Sequence, residues 1–180
     1  MKRYLIEESP FSYFFTADTR SAPLWLIVRV YLGWEWLQAG WEKLQDPTWV
    51  GANAGQALTG FVNGALSKTT GAHPDVQGWY AAFLQAFVLP HVVPWSYLVT
   101  WGELLVGVAL IIGLLVGIST FFGMFMNLNY MLAGSVSVNP IWFTIGIGLV
   151  LAWRVAGYWG ADRYVLPVLH RYFRPRVREG

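Results

Sequence analysis

VVPWSYLVTWGELLVGVALIIGLLVGI, residues 92–118, is an apolar run of membrane-crossing length whose single charged side chain is Glu103. About 20 mostly apolar residues in a helix cross the hydrocarbon core of a bilayer. A carboxylate at that depth costs at least about 2.5–3.5 kcal/mol, so it is expected to face a partner, a cavity or a substrate. Three further segments of similar length carry Arg29, Glu35 and Arg154. The expected fold class is an all-α membrane protein: a four-transmembrane-helix bundle forming a single domain over residues 1–180. The expected spans lie at about 23–44, 94–117, 120–138 and 140–160. Gly117–Thr120 is expected to turn the chain between the second and third spans, and Asn139–Pro140 between the third and fourth.

Composition agrees with a bilayer environment. Charged residues make up 12% of the 180-residue chain, against roughly 25% in soluble domains. A net charge of +2 gives no reason to expect nucleic acid as a partner; membrane lipid is the expected one. The chain has no cysteine, which excludes thiol–disulfide chemistry, cysteine-ligated iron–sulfur clusters and thiolate zinc sites. His73, His91 and His170 all lie outside the spans, so an intramembrane bis-histidine haem is not expected. No metal-ligand spacing, phosphate loop or dinucleotide motif is present. Lys2 and Arg3 are followed by Glu7, Glu8 and Pro10 without an apolar core, so a cleavable signal is not expected.

Orientation follows from lysine and arginine. Lys2, Arg3 and Arg20 precede the first span, and Arg163, Arg171, Arg174, Arg176 and Arg178 follow the fourth. Lys43 and Lys68 are the basic residues on the other side. Both termini are expected in the cytoplasm of a multi-pass cell-membrane protein, with the connection 45–93 facing outward. Within it, Asp46–Thr70 reads as a Gly/Asn/Thr-rich loop and Val76–Leu89 as a short helix. Trp79, Phe83 and Phe87 recur there at a four-residue interval, with Tyr80 and Leu84 beside them. At about 14 residues the helix is too short to span. It reads either as an interfacial or re-entrant cap on the bundle or as a surface helix with no role in a site.

A 3.6-residue period draws one stripe on each span. Arg29, Gly33, Trp36, Gly40 and Lys43 align on the first, with Glu35 pointing elsewhere. Glu103, Gly107, Leu110, Leu114 and Gly117 align on the second, and Gly123, Asn127, Tyr130, Gly134 and Ser137 on the third. Small residues let membrane helices approach and polar ones hydrogen-bond between them, so these stripes are expected to face inward.

Glu103 then reads either as a proton-relaying acid or as half of an ion pair with Arg29 or Lys43. Arg29 and Arg154 read as an anion or carbonyl site, or as counter-charges to Glu35 and Glu103; Arg154 also reads as snorkelling to the interface. Asn127, Asn129 and Tyr130 read as ligand contacts or as interhelical hydrogen bonds. Trp41, Lys43 and His91, with the Trp79–His91 segment, read as the mouth of an access site for an external anion or a ring-shaped head group. The alternative is that the segment plugs the bundle.

Several stretches carry a family resemblance. They are RVYLGWEWLQAGWEKL (29–44), GELLVGVALIIGLL (102–115), NLNYMLAGSVSVNP (127–140) and LAWRVAGYWGADR (151–163), with GAHPDVQGWYAAFLQAFVLPH (71–91) in the outward connection. Together they resemble the DoxX/DoxD family of small four-helix membrane proteins over roughly residues 20–165. The departure is at Gly117–Thr120, where many relatives have an arginine and this chain has none. The resemblance implies the membrane subunit of a thiosulfate:quinone oxidoreductase, with quinone as electron acceptor and thiosulfate oxidised to tetrathionate. It also implies direct transfer or a second subunit, since the chain has no redox centre of its own. In that setting Glu103 and Arg29 are the expected catalytic pair, and Lys43, Trp41, His91, Asn127, Tyr130 and Arg154 the substrate- or quinone-binding residues. A non-catalytic anchor or assembly subunit of a larger membrane complex, and a small proton-coupled transporter, are the alternative classes.

Overall fold

Gly107 brings two helix backbones into contact, and that contact organises the fold. The computed structural model describes residues 9–173. The chain enters through α1 (Pro10–Thr16), capped by Ser9, then forms α2 (Ala22–Gln45), α3 (Gln56–Leu66) and α4 (Gly78–Phe83). A π turn (Leu84–Val88) and a 3-10 turn (Leu89–His91) join α4 to α5 (Val92–Ile112). The chain ends in α6 (Val116–Leu132), α7 (Asn139–Leu151), α8 (Trp153–Ala156) and α9 (Asp162–Phe173). No strand occurs among the described residues.

The most extensive packing is α2 against α5, followed by α6 against α7. A Cβ placed on Gly107 would fall 2.5 Å from the backbone N of Leu37, and one on Gly40 2.8 Å from the N of Leu104. The expected inward stripe of the first span is buried at Arg29, Gly33, Trp36 and Gly40. Around this seam lies one core of Leu32, Trp36, Val106, Leu110, Val116 and Leu149. A second core joins α3 to the α4–π segment through Leu58, Val62, Ala65, Tyr80, Leu84 and Val88.

Several expected boundaries shift. The turn after the second expected span falls at Gly113–Leu115, not at 117–120, and α6 starts at Val116 and stops at Leu132, short of 138. Gly113 has φ +72° and Leu115 φ +47°. The carboxylate of Asp162 accepts the N–H groups of Leu115 at 2.5 Å and Val116 at 2.9 Å, which fixes where α6 begins. An acidic side chain at a helix N-terminus satisfies free N–H groups and favours the dipole. Burial pushes the Asp162 carboxyl up, while these two bonds and the nearby Arg29 guanidinium oppose the rise. The fourth expected span is broken at Ala152, where α7 gives way to α8.

The outward connection also differs. Its expected loop contains α3, with Leu58, Val62 and Ala65 buried on one face. The expected short helix of Val76–Leu89 runs on through the π and 3-10 turns into α5, with helical character unbroken over Gly78–Ile112, but the path bends at His91 (φ −125°, ψ 35°), which brings the Phe83 ring to 6.3 Å from that of Trp95. In it Tyr80, Leu84 and Val88 pack on α3, and the stripe of Trp79 and Phe87 is exposed. Among the described residues, Gly78–Ile112 is the one helix both long and apolar enough to cross a membrane on those criteria alone. The 24-residue α2 has the length, but Arg29, Glu35, Glu42 and Lys43 dilute it. Asn139–Leu151 is apolar but shorter.

Two glycine substitutions separate backbone contact from helix propensity. Gly107→Ala should cost about 1–3 kcal/mol, the usual range for overpacking, because its Cβ meets the Leu37 backbone. Gly60→Ala, in α3 with nothing within 4 Å of its Cβ, should be neutral or stabilise by up to about 1 kcal/mol. Thermal unfolding of the detergent-solubilised variants checks both, and equal melting points would show that α2 and α5 do not touch at Gly107.

Candidate functional site

Glu103 lies on α5 one turn from Gly107, so the close α2–α5 seam buries it to 1% exposure. Tyr130 of α6 donates its hydroxyl hydrogen bond to Oε1 of Glu103 at 2.6 Å. Lys43, in the last turn of α2, holds its Nζ 2.8 Å from Oε2. This contact is an ion pair at hydrogen-bond distance. The Lys43 side chain is 20% exposed, and its Nζ sits 5.1 Å from the Trp49 ring centre. The cluster thus runs from the end of α2 through a buried carboxylate to a tyrosine on α6.

Tyr130 is also where the cluster meets a cavity. A groove of about 540 Å³ lies between α5 and α6, lined by Leu98, Gly102 and Leu105 on one side and by Phe122, Phe125 and Met126 on the other. Phe61 of α3 and Tyr80, Phe83 and Leu84 of the α4–π segment close one end. Exposure of Leu98, Leu105, Phe122 and Phe125 leaves the groove open sideways. Tyr80 and Asn129 are the polar groups near Tyr130, and Ser119 lies further along α6. The Tyr80 hydroxyl donates to Asn129, 3.0 Å from its carbonyl and 3.1 Å from Oδ1, and the Asn129 amide donates to the Phe125 carbonyl at 2.8 Å. Apolar walls with a few convergent polar groups are the usual make-up of a small-molecule pocket.

The other expected residues lie elsewhere. Arg29 is 1% exposed but pairs with neither Glu103 nor Glu35. Its Nη1 donates to the Leu110 carbonyl at 2.9 Å and its Nη2 to the Trp159 carbonyl at 3.3 Å, while Nε has no partner. It fills the space beside Gly113 and Gly160, where a side chain on Gly113 would collide with its guanidinium. Arg29 therefore ties α2 to the end of α5 and to the turn before α9. Arg154, expected in the interior, is exposed and lies 5.0 Å over the Trp153 ring. Of Arg29, Glu35, Glu103 and Arg154, Arg29 and Glu103 are fully buried, and the ion pair formed is Lys43 with Glu103.

Trp41 is exposed. His91 is exposed too, its Nδ1 3.2 Å from the Phe87 carbonyl, which also accepts Trp95 Nε1 at 3.0 Å. Neither lines the groove. Asn127 is buried, does not line the groove, and leaves its Oδ1 without a partner. Tyr80 and Asp162 were not among the expected site residues. Tyr80 sat beside the aromatic repeat, and Asp162 stood just past the last apolar run; neither position reveals a contact made across the fold.

A family model described as DoxX matches residues 24–135. No curated protein and no solved structure matches the chain.

The ion pair makes a specific stability pattern. Lys43→Met leaves a buried carboxylate without its counter-charge and should cost about 3–5 kcal/mol. Adding Glu103→Gln to Lys43→Met removes the stranded charge and should restore most of that loss. Thermal unfolding of the two single variants and the double variant measures the coupling, and strictly additive losses would show that the two groups do not interact.

Proposed function

The chain belongs to the DoxX family, and we propose that it serves as the integral membrane subunit of a quinone-linked oxidoreductase, with thiosulfate the implied electron donor. The observation that carries this reading is the sideways-open apolar groove ending at Tyr130, whose hydroxyl is bonded to buried Glu103.

Four crossings are proposed: α2, α5, α6, and α7 with α8. Large apolar side chains are exposed along all four, including Ile27, Trp34, Leu105, Phe122, Phe125 and Ile147. A soluble surface rarely carries so extended an apolar face, and lipid would cover it. A cytoplasmic position of both termini is supported by Lys2, Arg3 and Arg20 before the first crossing and Arg163, Arg171, Arg174, Arg176 and Arg178 after the last, of which Lys2, Arg3, Arg174, Arg176 and Arg178 lie outside the described residues. The end of α2 that carries Lys43 then faces outward.

The groove fits an isoprenoid quinone. Its volume is within the range of small-molecule pockets, its aromatic and aliphatic walls suit a tail and ring, the Asn129 amide has a second N–H to give a carbonyl, and the Tyr130 oxygen, its own proton donated to Glu103, can accept from a hydroquinone hydroxyl. A quinone, when bound, accepts two electrons and two protons. The chain's part is to hold the head group against Tyr130, to exclude water with Phe122, Phe125 and Phe61, and to exchange protons at Tyr130 and Glu103. Arg29 has a packing role in this account, holding the opposite end of α2. Electrons come from a directly bound donor or from a second subunit.

One observation favours a second reading as an anchor subunit: Leu26, Ile27, Val30, Tyr31 and Trp34 form a shallow depression on the exposed face of α2, suited to a partner helix. Purification in mild detergent separates the readings. Quinone bound at near-stoichiometric amounts, detected by mass spectrometry, supports the oxidoreductase reading. A stoichiometric protein partner with no quinone supports the anchor. Glu103→Gln keeps shape and an acceptor for Tyr130 but cannot exchange a proton at neutral pH, so it should reduce quinone-linked turnover by about 100-fold or more, within the usual range for an acid–base group. A folded Glu103→Gln protein with unchanged turnover would remove Glu103 from the chemistry.

A further inference from the structure

We infer that Glu103 exchanges protons with only one side of the membrane, the side at the α2 C-terminus, and that Lys43 is the positioning and relay residue for that exchange. The inference rests on the membrane reading and deepens it by giving the site a sidedness.

Two observations carry it. On one side, Glu103 is linked to water through a single partly exposed group: Lys43 Nζ is 2.8 Å from Oε2 and 20% exposed. On the other, no charged side chain leads away from Glu103: the groove reaches Leu115 and Ser119 at that end, but its walls there are almost wholly apolar. Along α5 beyond Glu103, Val106 is 5% exposed and Leu110 0%. Past them the Arg29 guanidinium fills the bundle against the Leu110 and Trp159 carbonyls. Gly113 and Gly160 pack backbone to backbone behind it. Arg29 and Lys43 are 14 residues apart on α2, about 21 Å at 1.5 Å per residue, so the seal and the water contact lie at opposite ends of one helix.

The charged and titratable groups around Glu103 agree with that direction. From α2 come Lys43 and Glu42, the latter exposed and close enough to act on the carboxylate. From α6 comes Tyr130. α3 contributes no titratable side chain. The step balances. Tyr130 takes a proton at its oxygen from the groove as it passes its own to Oε1 of Glu103. Lys43 gives one ammonium proton to water and takes the carboxyl proton in return. One proton has crossed, and all three side chains are back in their starting forms; uptake follows the reverse order.

The test uses the full chain in proteoliposomes of known orientation, without turnover. Infrared difference spectra follow the Glu103 carboxyl band, identified as the band lost in Glu103→Gln, after a pH jump confined to one side. The band should respond promptly to a jump at the Lys43 face and at least 10-fold more slowly to one at the α9 face. Lys43→Arg keeps the pair and the fold, but arginine does not give up a proton in proteins, so it should slow the prompt response 10-fold or more. A prompt response from the α9 face, or an unaltered rate in Lys43→Arg, overturns the inference. A one-sided response in a protein that binds no quinone would sink the oxidoreductase reading and leave the sidedness standing.

Discussion

The approach of α2 to α5 at Gly107 is the constraint from which the rest follows. With no side chain at that point, the Leu37 backbone sits where a Cβ would lie, and the two helices lock in one register. That register aligns α2 and α5 at two separated heights. At one, Arg29 meets the carbonyl of Leu110. At the other, Lys43 meets the carboxylate of Glu103. Neither contact survives a slide of one turn, so a shift of about 5.4 Å would strand two buried charges at once.

The two ends of the seam have different chemistry. At the Arg29 end, donors and acceptors are taken up mostly in holding turns, with Nε of Arg29 left over. Asp162 caps α6, Arg29 binds carbonyls, and the backbone N–H groups of Ala161 and Asp162 donate to the carbonyls of Ile112 and Gly113. At the Lys43 end, a buried carboxylate is held between Lys43 and the Tyr130 hydroxyl, and a groove opens beside Tyr130. α3 and the π turn complete this end by walling the groove. A π turn widens a helix locally and is frequent at functional sites.

The sequence was legible where a local period carried the information. The helical class, the inward stripe of α2 and the burial of Glu103 all come from spacing within one segment. The choice between Lys43 and Arg29 as its partner did not, because both share the α2 stripe and only the register at Gly107 decides. The start of α6 was missed because its capping carboxylate, Asp162, is 46 residues from Val116. Arg154 looked buried because the run around it is apolar, yet the break at Ala152 turns it outward onto Trp153. α3 was hidden in a loop-like composition: its glycines and asparagine suppress helix propensity, while Leu58, Val62 and Ala65 supply the packing that overrides it. The groove itself was not legible at all: α3, the α4–π segment, α5 and α6 follow one another in the chain, but no local period tells how they fold against each other.

The central claim is that the groove between α5 and α6 is a ligand site whose polar end is Tyr130 with Glu103. A cryo-electron-microscopy map of the chain in a lipid nanodisc, held rigid by a bound antibody fragment, tests it most directly. The account predicts elongated non-protein density between Leu105 and Phe122, ending within hydrogen-bond reach, about 2.6–3.2 Å, of the Tyr130 hydroxyl. A groove closed by α5 and α6 packing together, with Tyr130 shut away from it, would contradict the account.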